Sequence, residues 1–280
     1  MSIRELKKEF DTLFIDKQSS LECQFQFKLI IEHIEKIPFS EVFFNQDIVL
    51  SNDNLTVYKE FIARLLKGEP LQYIIGETEF FGLTLKVGPQ VLIPRPETEE
   101  LIYWIQDVLK IDTPVVWDIC TGSGSISLSL KTIYPKAKIM ASDISEGAIE
   151  MAKRNGELNN LKVDFFVSDI FSETKPEESF DLIVSNPPYI PNIDKKNMSK
   201  NVLDFEPGLA LFVENEEPLV FYHRIATIAS QKLKKGGLLF FEIHERFEAE
   251  MVALLTSLCY SEINVKRDLQ GKARMLMARK

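Results

Sequence analysis

Val115-Val116-Trp117-Asp118-Ile119-Cys120-Thr121-Gly122-Ser123-Gly124-Ser125 is the stretch that decides how this chain folds. Its first half is a short apolar run, which suits a strand buried on both faces. Its second half is a glycine turn that opens onto helix-forming sequence at 125–133. Gly122 and Gly124 permit positive φ and close backbone approach, and the first turn of the following helix offers unpaired N–H groups. Alone, such a segment is equally a plain tight connection between a strand and a helix. Its surroundings carry the reading.

Downstream the same rhythm continues. Apolar runs at 138–142, 163–167, 182–185 and 238–242 read as strands, with helices at 146–158, 219–234 and 246–257 between them. Two more apolar stretches, 261–266 and 275–278, close the sheet as a hairpin. This alternation predicts an α/β fold with a mostly parallel, seven-stranded sheet covered on both faces. Upstream, Ile3, Leu6, Phe10, Leu13 and Phe14 recur at helical spacing, and 20–36 and 55–67 are also helix-like. Residues 1–72 therefore read as a small helical domain. Gly68, Pro70 and Gly76 break that pattern. Residues 79–87 read as a hairpin with Gly82 near its turn, so 73–96 is a hairpin linker and 97–280 the sheet domain.

The chain has 280 residues and a net charge of -9 from 33 basic and 42 acidic side chains. That balance argues against broad wrapping of nucleic acid, which needs a basic face. Cys23, Cys120 and Cys259 lie far apart and form no CxxC, which disfavours disulfides and zinc and suits a reducing cytoplasm. His33, His223 and His244 share no metal-ligand spacing, so no metal is expected. The first 14 residues mix charges among apolar residues, unlike a signal peptide, and no run of 18 apolar residues predicts a membrane span. A cytoplasmic monomer is the expectation.

Two acids sharpen the glycine turn. Asp143 ends the second strand, 25 residues after Asp118, where a carboxylate accepts hydrogen bonds from ribose hydroxyls. Asp169 follows the third strand, and with Ile170 it can flank an adenine. Asp118, Cys120, Thr121, Gly122, Ser123, Gly124, Asp143, Ile144, Asp169 and Ile170 thus form a candidate site for an adenosine-bearing ligand. Gly122-Ser123-Gly124-Ser125-Ile126-Ser127 lacks the third glycine of a dinucleotide site, and no P-loop lysine follows.

Asn186-Pro187-Pro188-Tyr189 follows the strand that ends at Ser185. Two prolines have no N–H to continue a ladder, so the chain leaves the sheet there. Asn186 then stands at the carboxyl end of a strand, where open α/β sheets bind ligands. The tetrapeptide resembles the transfer motif of methyltransferases acting on planar nitrogen, whose lone pair is delocalised and poorly nucleophilic. The Asn186 side-chain oxygen and the Pro187 carbonyl can each accept one N–H bond from it, and Tyr189 can stack on the flat group. No general base is evident.

The glycine turn resembles the first motif of class I (Rossmann-like) S-adenosylmethionine methyltransferases, with Cys120 where the first glycine usually stands. Asn186 to Tyr189 resemble the transfer motif of methyltransferases acting on planar nitrogen. Gly68-Glu69-Pro70-Leu71-Gln72-Tyr73-Ile74-Ile75-Gly76, Phe80-Phe81-Gly82, Leu92-Ile93-Pro94-Arg95-Pro96-Glu97-Thr98-Glu99, Asp204-Phe205-Glu206-Pro207-Gly208-Leu209-Ala210-Leu211 and Arg267-Asp268-Leu269-Gln270-Gly271-Lys272-Ala273-Arg274 look very like the HemK/PrmC family. The resemblance is dense from about 65 to 280. It implies transfer of a methyl group from S-adenosylmethionine, leaving S-adenosylhomocysteine, to N5 of the glutamine in the Gly-Gly-Gln loop of class I peptide chain release factors. It implies that the helical domain helps hold the release factor. It implies that Cys120 to Gly124, Asp143 and Ile170 contact the donor and Asn186, Pro187, Pro188 and Tyr189 the substrate. The stretch 93–99 reads equally as a rigid connector that caps a helix and as a loop near the transfer site, with Arg95 a substrate contact. Ile170 departs from some members, which carry an aromatic residue there. Rival readings are glutamine methylation of a ribosomal protein, adenine-N6 methylation of nucleic acid, and an adenosine-binding scaffold without catalysis.

Overall fold

The computed structural model describes residues 1–44, 46–172 and 176–280. The chain packs into two compact units, Met1–Gly76 with Lys200–Phe205, and Glu77–Ser199 with Glu206–Lys280.

In the first unit, α1 (Ile3–Phe14), α2 (Ser20–Glu35), α3 (Phe39–Phe44), α4 (Asn52–Leu66) and α5 (Leu71–Ile75) follow one another. Serines start three of them. Ser2 accepts from the Glu5 N–H while the Glu5 carboxylate accepts from the Ser2 N–H, a reciprocal cap on α1. Ser19 and Ser51 cap α2 and α4 through the N–H groups of Glu22 and Asn54. The buried stripe of α1 is Ile3, Leu6, Phe10 and Phe14, packed with Phe27, Ile30 and Ile31 of α2 and Tyr58 of α4. Leu13, which the helical spacing placed with that stripe, is 39% exposed, because it falls one position off the 3-4-4 repeat.

The second unit opens with a hairpin, β1 (Glu77–Phe80) and β2 (Leu83–Lys86). Its two turn residues, Phe81 and Gly82, have φ of 50° and 72°, the positive pair a type I′ connection requires. Then come α6 (Pro96–Val108), β3 (Val115–Ile119), α7 (Ser125–Ile133), β4 (Lys138–Asp143), α8 (Glu146–Leu158), β5 (Asp164–Val167) and β6 (Phe180–Ser185). A two-residue pair, β7 (Ile190–Pro191) with β8 (Phe212–Val213), brackets in sequence α9 (Lys200–Phe205), which belongs to the first unit, and α10 (Gly208–Leu211). The chain ends with α11 (Val220–Lys232), β9 (Leu233–Glu242), α12 (Glu248–Ser257), β10 (Ser261–Arg267) and β11 (Ala273–Arg279).

Seven strands form one sheet in the order β10-β11-β9-β6-β3-β4-β5. The pairs from β9 to β5 are parallel, and the last two strands close the edge antiparallel. This is the expected mostly parallel, seven-stranded α/β sheet. Alternate residues feed two cores. Val116, Leu182, Val184, Leu238, Phe240, Met275 and Met277 pack under α6 and α7. Trp117, Ile119, Ile183, Leu239, Phe241 and Leu276 pack under α11 and α12. Each fully buried aliphatic side chain contributes roughly 1.5–3 kcal/mol. From β3 the chain moves outward through β4 and β5, then returns to place β6 on the other side of β3. The order therefore reverses between β3 and β6, at whose carboxyl ends stand Cys120 and Asn186.

Candidate active site

A cavity of about 460 Å³ opens at that switch point, within the usual range for small-molecule sites. Cys120, Thr121, Gly122, Ser123, Asp143, Ile144, Asp169, Ile170, Asn186, Pro188 and Arg95 all line it, so the structure gathers most of the sequence-derived candidates. Asp118, Gly124, Pro187 and Tyr189 do not line it.

The floor is the glycine turn. Cys120, Gly122 and Gly124 have φ of 61°, 55° and 82°, which wraps the backbone into a concave turn. A Cβ added at Gly122 would meet nothing within 4 Å, so that glycine answers to its backbone angle. Gly124 is crowded as well: a Cβ there would come within 3.2 Å of Ala152. Asp118 works beneath the turn. It is fully buried, and Oδ2 accepts from the Thr121 hydroxyl (2.5 Å) and the Ser127 N–H (3.1 Å). Its Oδ1 is buried with no partner among the described residues. Burial, against the pull of the two bonds, pushes the Asp118 carboxyl up to about 7.

The walls come from the next strands. At the end of β4, Asp143 accepts from the Gly122 N–H (2.9 Å) through Oδ2 and from the Ser145 N–H (3.0 Å) through Oδ1. Burial raises its carboxyl too. After β5, the Asp169 carboxylate accepts from the Phe171 N–H (2.8 Å). The Ile170 carbonyl accepts from Arg224 Nε (2.7 Å), so α11 fixes this loop. Ile170 is 6% exposed. Beside it Phe171 lines the cavity and meets Phe221 edge-on at 5.5 Å. The aromatic surface missing at 170 is therefore supplied one residue later.

The remaining wall joins two distant motifs. Arg95 pairs with Glu206 at 2.5 Å, and Glu206 also accepts from the Ile93 N–H at 3.4 Å. Glu206 is 6% exposed, so Arg95 is committed to an internal partner while it lines the cavity. Leu92, Pro207 and Leu209 complete that side.

The Asn186 side chain lines the cavity and makes no hydrogen bond among the described residues. Tyr189 is differently placed from the stacking role its sequence suggests: its hydroxyl donates to Glu242 Oε1 (3.0 Å), beneath the cavity. Asn155 was missed by sequence reading. Buried on α8, it donates to the Ser123 carbonyl (2.9 Å) and exchanges two bonds with the Lys86 backbone. An asparagine inside a helix carries no sequence signal of such a duty. Among the described residues no group of His, Cys, Asp and Glu is arranged to hold a metal, and no helix is long and apolar enough to cross a membrane.

Two protein families match the chain: Methyltransferase small domain over residues 101–208, and PrmC N-terminal domain over residues 17–76. A release factor glutamine methyltransferase of Flavobacterium psychrophilum is 38% identical over 279 residues, 97% of this chain and 98% of the relative. One of Bacteroides thetaiotaomicron is 43% identical over 242 residues, 85% of this chain and 86% of the relative. Among solved structures, a methyltransferase from Pyrococcus furiosus superposes with a TM-score of 0.55 at 22% identity, covering 78% of this chain and 96% of its own. The Thermus thermophilus 16S rRNA N2 G1207 methyltransferase, solved with AdoMet and guanosine, gives 0.52 at 18% identity over 73% of this chain and 49% of its own. These two likenesses are of fold.

Proposed function

The chain belongs to the release factor glutamine methyltransferase family, and we propose that it transfers the methyl group of S-adenosylmethionine to the side-chain amide nitrogen of the glutamine in the Gly-Gly-Gln loop of class I peptide chain release factors. The observation that carries the reading is Asn186: a cavity-lining amide without a hydrogen-bond partner among the described residues, at the carboxyl end of β6 and beside the glycine turn.

The cavity fits the donor. The turn Cys120–Gly124 suits its amino-acid part, which needs close backbone approach. Asp143 offers acceptor oxygens for ribose hydroxyls, and Ile170 and Phe171 offer apolar cover for adenine, with Asp169 beside them. When bound, the donor supplies an electrophilic methyl group on a sulfonium. The residues of this chain do the positioning. Asn186 Oδ1, which lines the cavity, accepts an N–H bond of the glutamine amide, turning its nitrogen towards the methyl group. As the N–C bond forms and the sulfonium S–C bond breaks, leaving the neutral thioether S-adenosylhomocysteine, positive charge passes to that nitrogen, and the Asn186 oxygen stabilises it. The surplus proton then leaves to water, so no dedicated base is required. Holding the two reactants in this geometry is worth roughly 7–11 kcal/mol of barrier. The helical unit, which matches the PrmC N-terminal domain, serves to recognise the release factor.

The test is transfer of labelled methyl from S-adenosylmethionine to purified release factor, beside a factor whose Gly-Gly-Gln glutamine is alanine. Label on the native factor alone supports the reading. Label on neither, with donor binding intact, refutes it and turns the search to ribosomal proteins.

A further inference from the structure

A buried carboxylate holds the transfer turn from below. Glu242 ends β9, where Phe241 pairs with Ser185, so Glu242 lies level with the Asn186–Pro187 step. It is 2% exposed, and its two oxygens take different partners. Oε1 accepts from the Tyr189 hydroxyl (3.0 Å), and Oε2 accepts from the Thr98 hydroxyl (2.6 Å). Tyr189 closes the transfer tetrapeptide. Thr98 stands in the first turn of α6 and donates its N–H to the Arg95 carbonyl at 3.0 Å. One side chain therefore ties together the two segments that wall the cavity, one bearing Asn186 and the other Arg95.

The surroundings keep this carboxylate in place. Arg274 faces it from β11 and favours its charged form, and Asp268 in turn pairs with Arg274. Glu97 approaches from α6. Tyr222 of α11 donates to the Glu242 carbonyl oxygen (2.9 Å), and the His244 ring meets the Tyr189 ring edge-on at 6.0 Å. Burying a carboxylate is costly. Two bonds to two different walls give it a geometric duty that an aliphatic side chain could not perform.

We propose that Glu242 is the positioning residue of the transfer turn: by clamping Tyr189 and Thr98 it fixes the Asn186 amide against the cavity, touching neither substrate. This rests on Asn186 being the group that grips the acceptor amide.

The experiment uses the full chain with Glu242→Leu, Glu242→Gln, Tyr189→Phe and Thr98→Val. Glu242→Leu is expected to lower kcat about 100-fold, the loss a misplacement near 1 Å produces, with donor affinity by calorimetry within about twofold. Glu242→Gln keeps an acceptor for Tyr189 and a polar contact to Thr98, and is expected to recover most of the rate. Adding Tyr189→Phe to Glu242→Leu should cost less than Tyr189→Phe costs alone, since the two share the Tyr189–Glu242 bond. Hydrogen exchange across 185–192 should rise in Glu242→Leu and Tyr189→Phe while the β3–α7 turn stays protected, a readout that needs no acceptor. The proposal falls if Glu242→Leu turns over as wild type, if kcat and donor affinity drop together, or if exchange across 185–192 is unchanged. Should Glu242→Leu fail to fold, Tyr189→Phe and Thr98→Val each cut one bond and carry the same outcomes. A wild-type chain that labels a different protein would refute the release-factor reading alone; the variants are then compared on that protein.

Discussion

Asn186 is the residue whose chemistry cannot be replaced by shape. In the proposed reaction Asn186→Ala removes the acceptor for the reacting nitrogen but no protein hydrogen bond, because the side chain has none among the described residues. Donor affinity should stay within about twofold while kcat falls at least about 100-fold, the usual cost of losing such a group; single-turnover transfer beside calorimetry separates the two. Cys120 poses a different question. It holds φ 61° where a glycine would be unstrained, at a cost of roughly 1–2 kcal/mol. Its side chain offsets part of that by packing on the core under α11 and α12. Cys120→Gly should therefore shift unfolding free energy by less than about 1 kcal/mol. Cys120→Val, β-branched at positive φ, should lose about 2 kcal/mol or more. Urea midpoints at constant slope would show it, and a stable valine variant would contradict the strain. At this scale the sequence pointed to residues that the structure gathers at one cavity, as with Gly122, Asp143 and Asn186. It was silent on partners, so Asp118 was grouped with the ligand contacts although it bonds to Thr121 and Ser127 beneath the turn.

Elements were legible where their pattern is local. α7 and α8 occupy the spans their periodicity indicates, 125–133 and 146–158. Helix α11 stops at Lys232, two residues early, because Leu233 pairs with Phe180 and its side chain is buried. The helix expected from 246 begins with a 3₁₀ turn at Glu245–Phe247. The pair β7–β8 is two residues per strand, too short for any alternation to register. Asn155 shows the same limit: its bonds span 32 and 69 positions. Three backbone groups, Lys86 N–H, Lys86 C=O and Ser123 C=O, depend on this one amide. Asn155→Ala should cost roughly 2 kcal/mol or more, since buried groups left unpaired cost about 1–3 kcal/mol each. Donor affinity should fall as well, because Ser123 lines the cavity proposed to hold the donor. A variant with native melting temperature would show that another group or water takes over those bonds.

Over the whole molecule, stability and the site meet at Asp118, which is fully buried in β3 between β6 and β4. Its carboxyl titrates at about 7 in the folded chain against an ordinary 3.8. Burial is the main cause; the Thr121 and Ser127 bonds oppose it, and the nearby charge of Asp143 adds to it. Between those two values the folded chain holds a proton that the unfolded chain has released. The contribution to stability is therefore complete below about pH 4 and is lost as pH rises to about 7. Asp118→Asn tests this cleanly. Its amide oxygen can accept from both Thr121 and Ser127, and its nitrogen takes the place of the oxygen that has no partner. Wild-type and variant melting temperatures should be compared from pH 4 to pH 8. The variant should gain steadily on the wild type across the window and then run parallel to it. A difference that stays flat would mean that Asp118 remains charged throughout, and that the turn beneath the cavity is held by an ion rather than by a neutral acid.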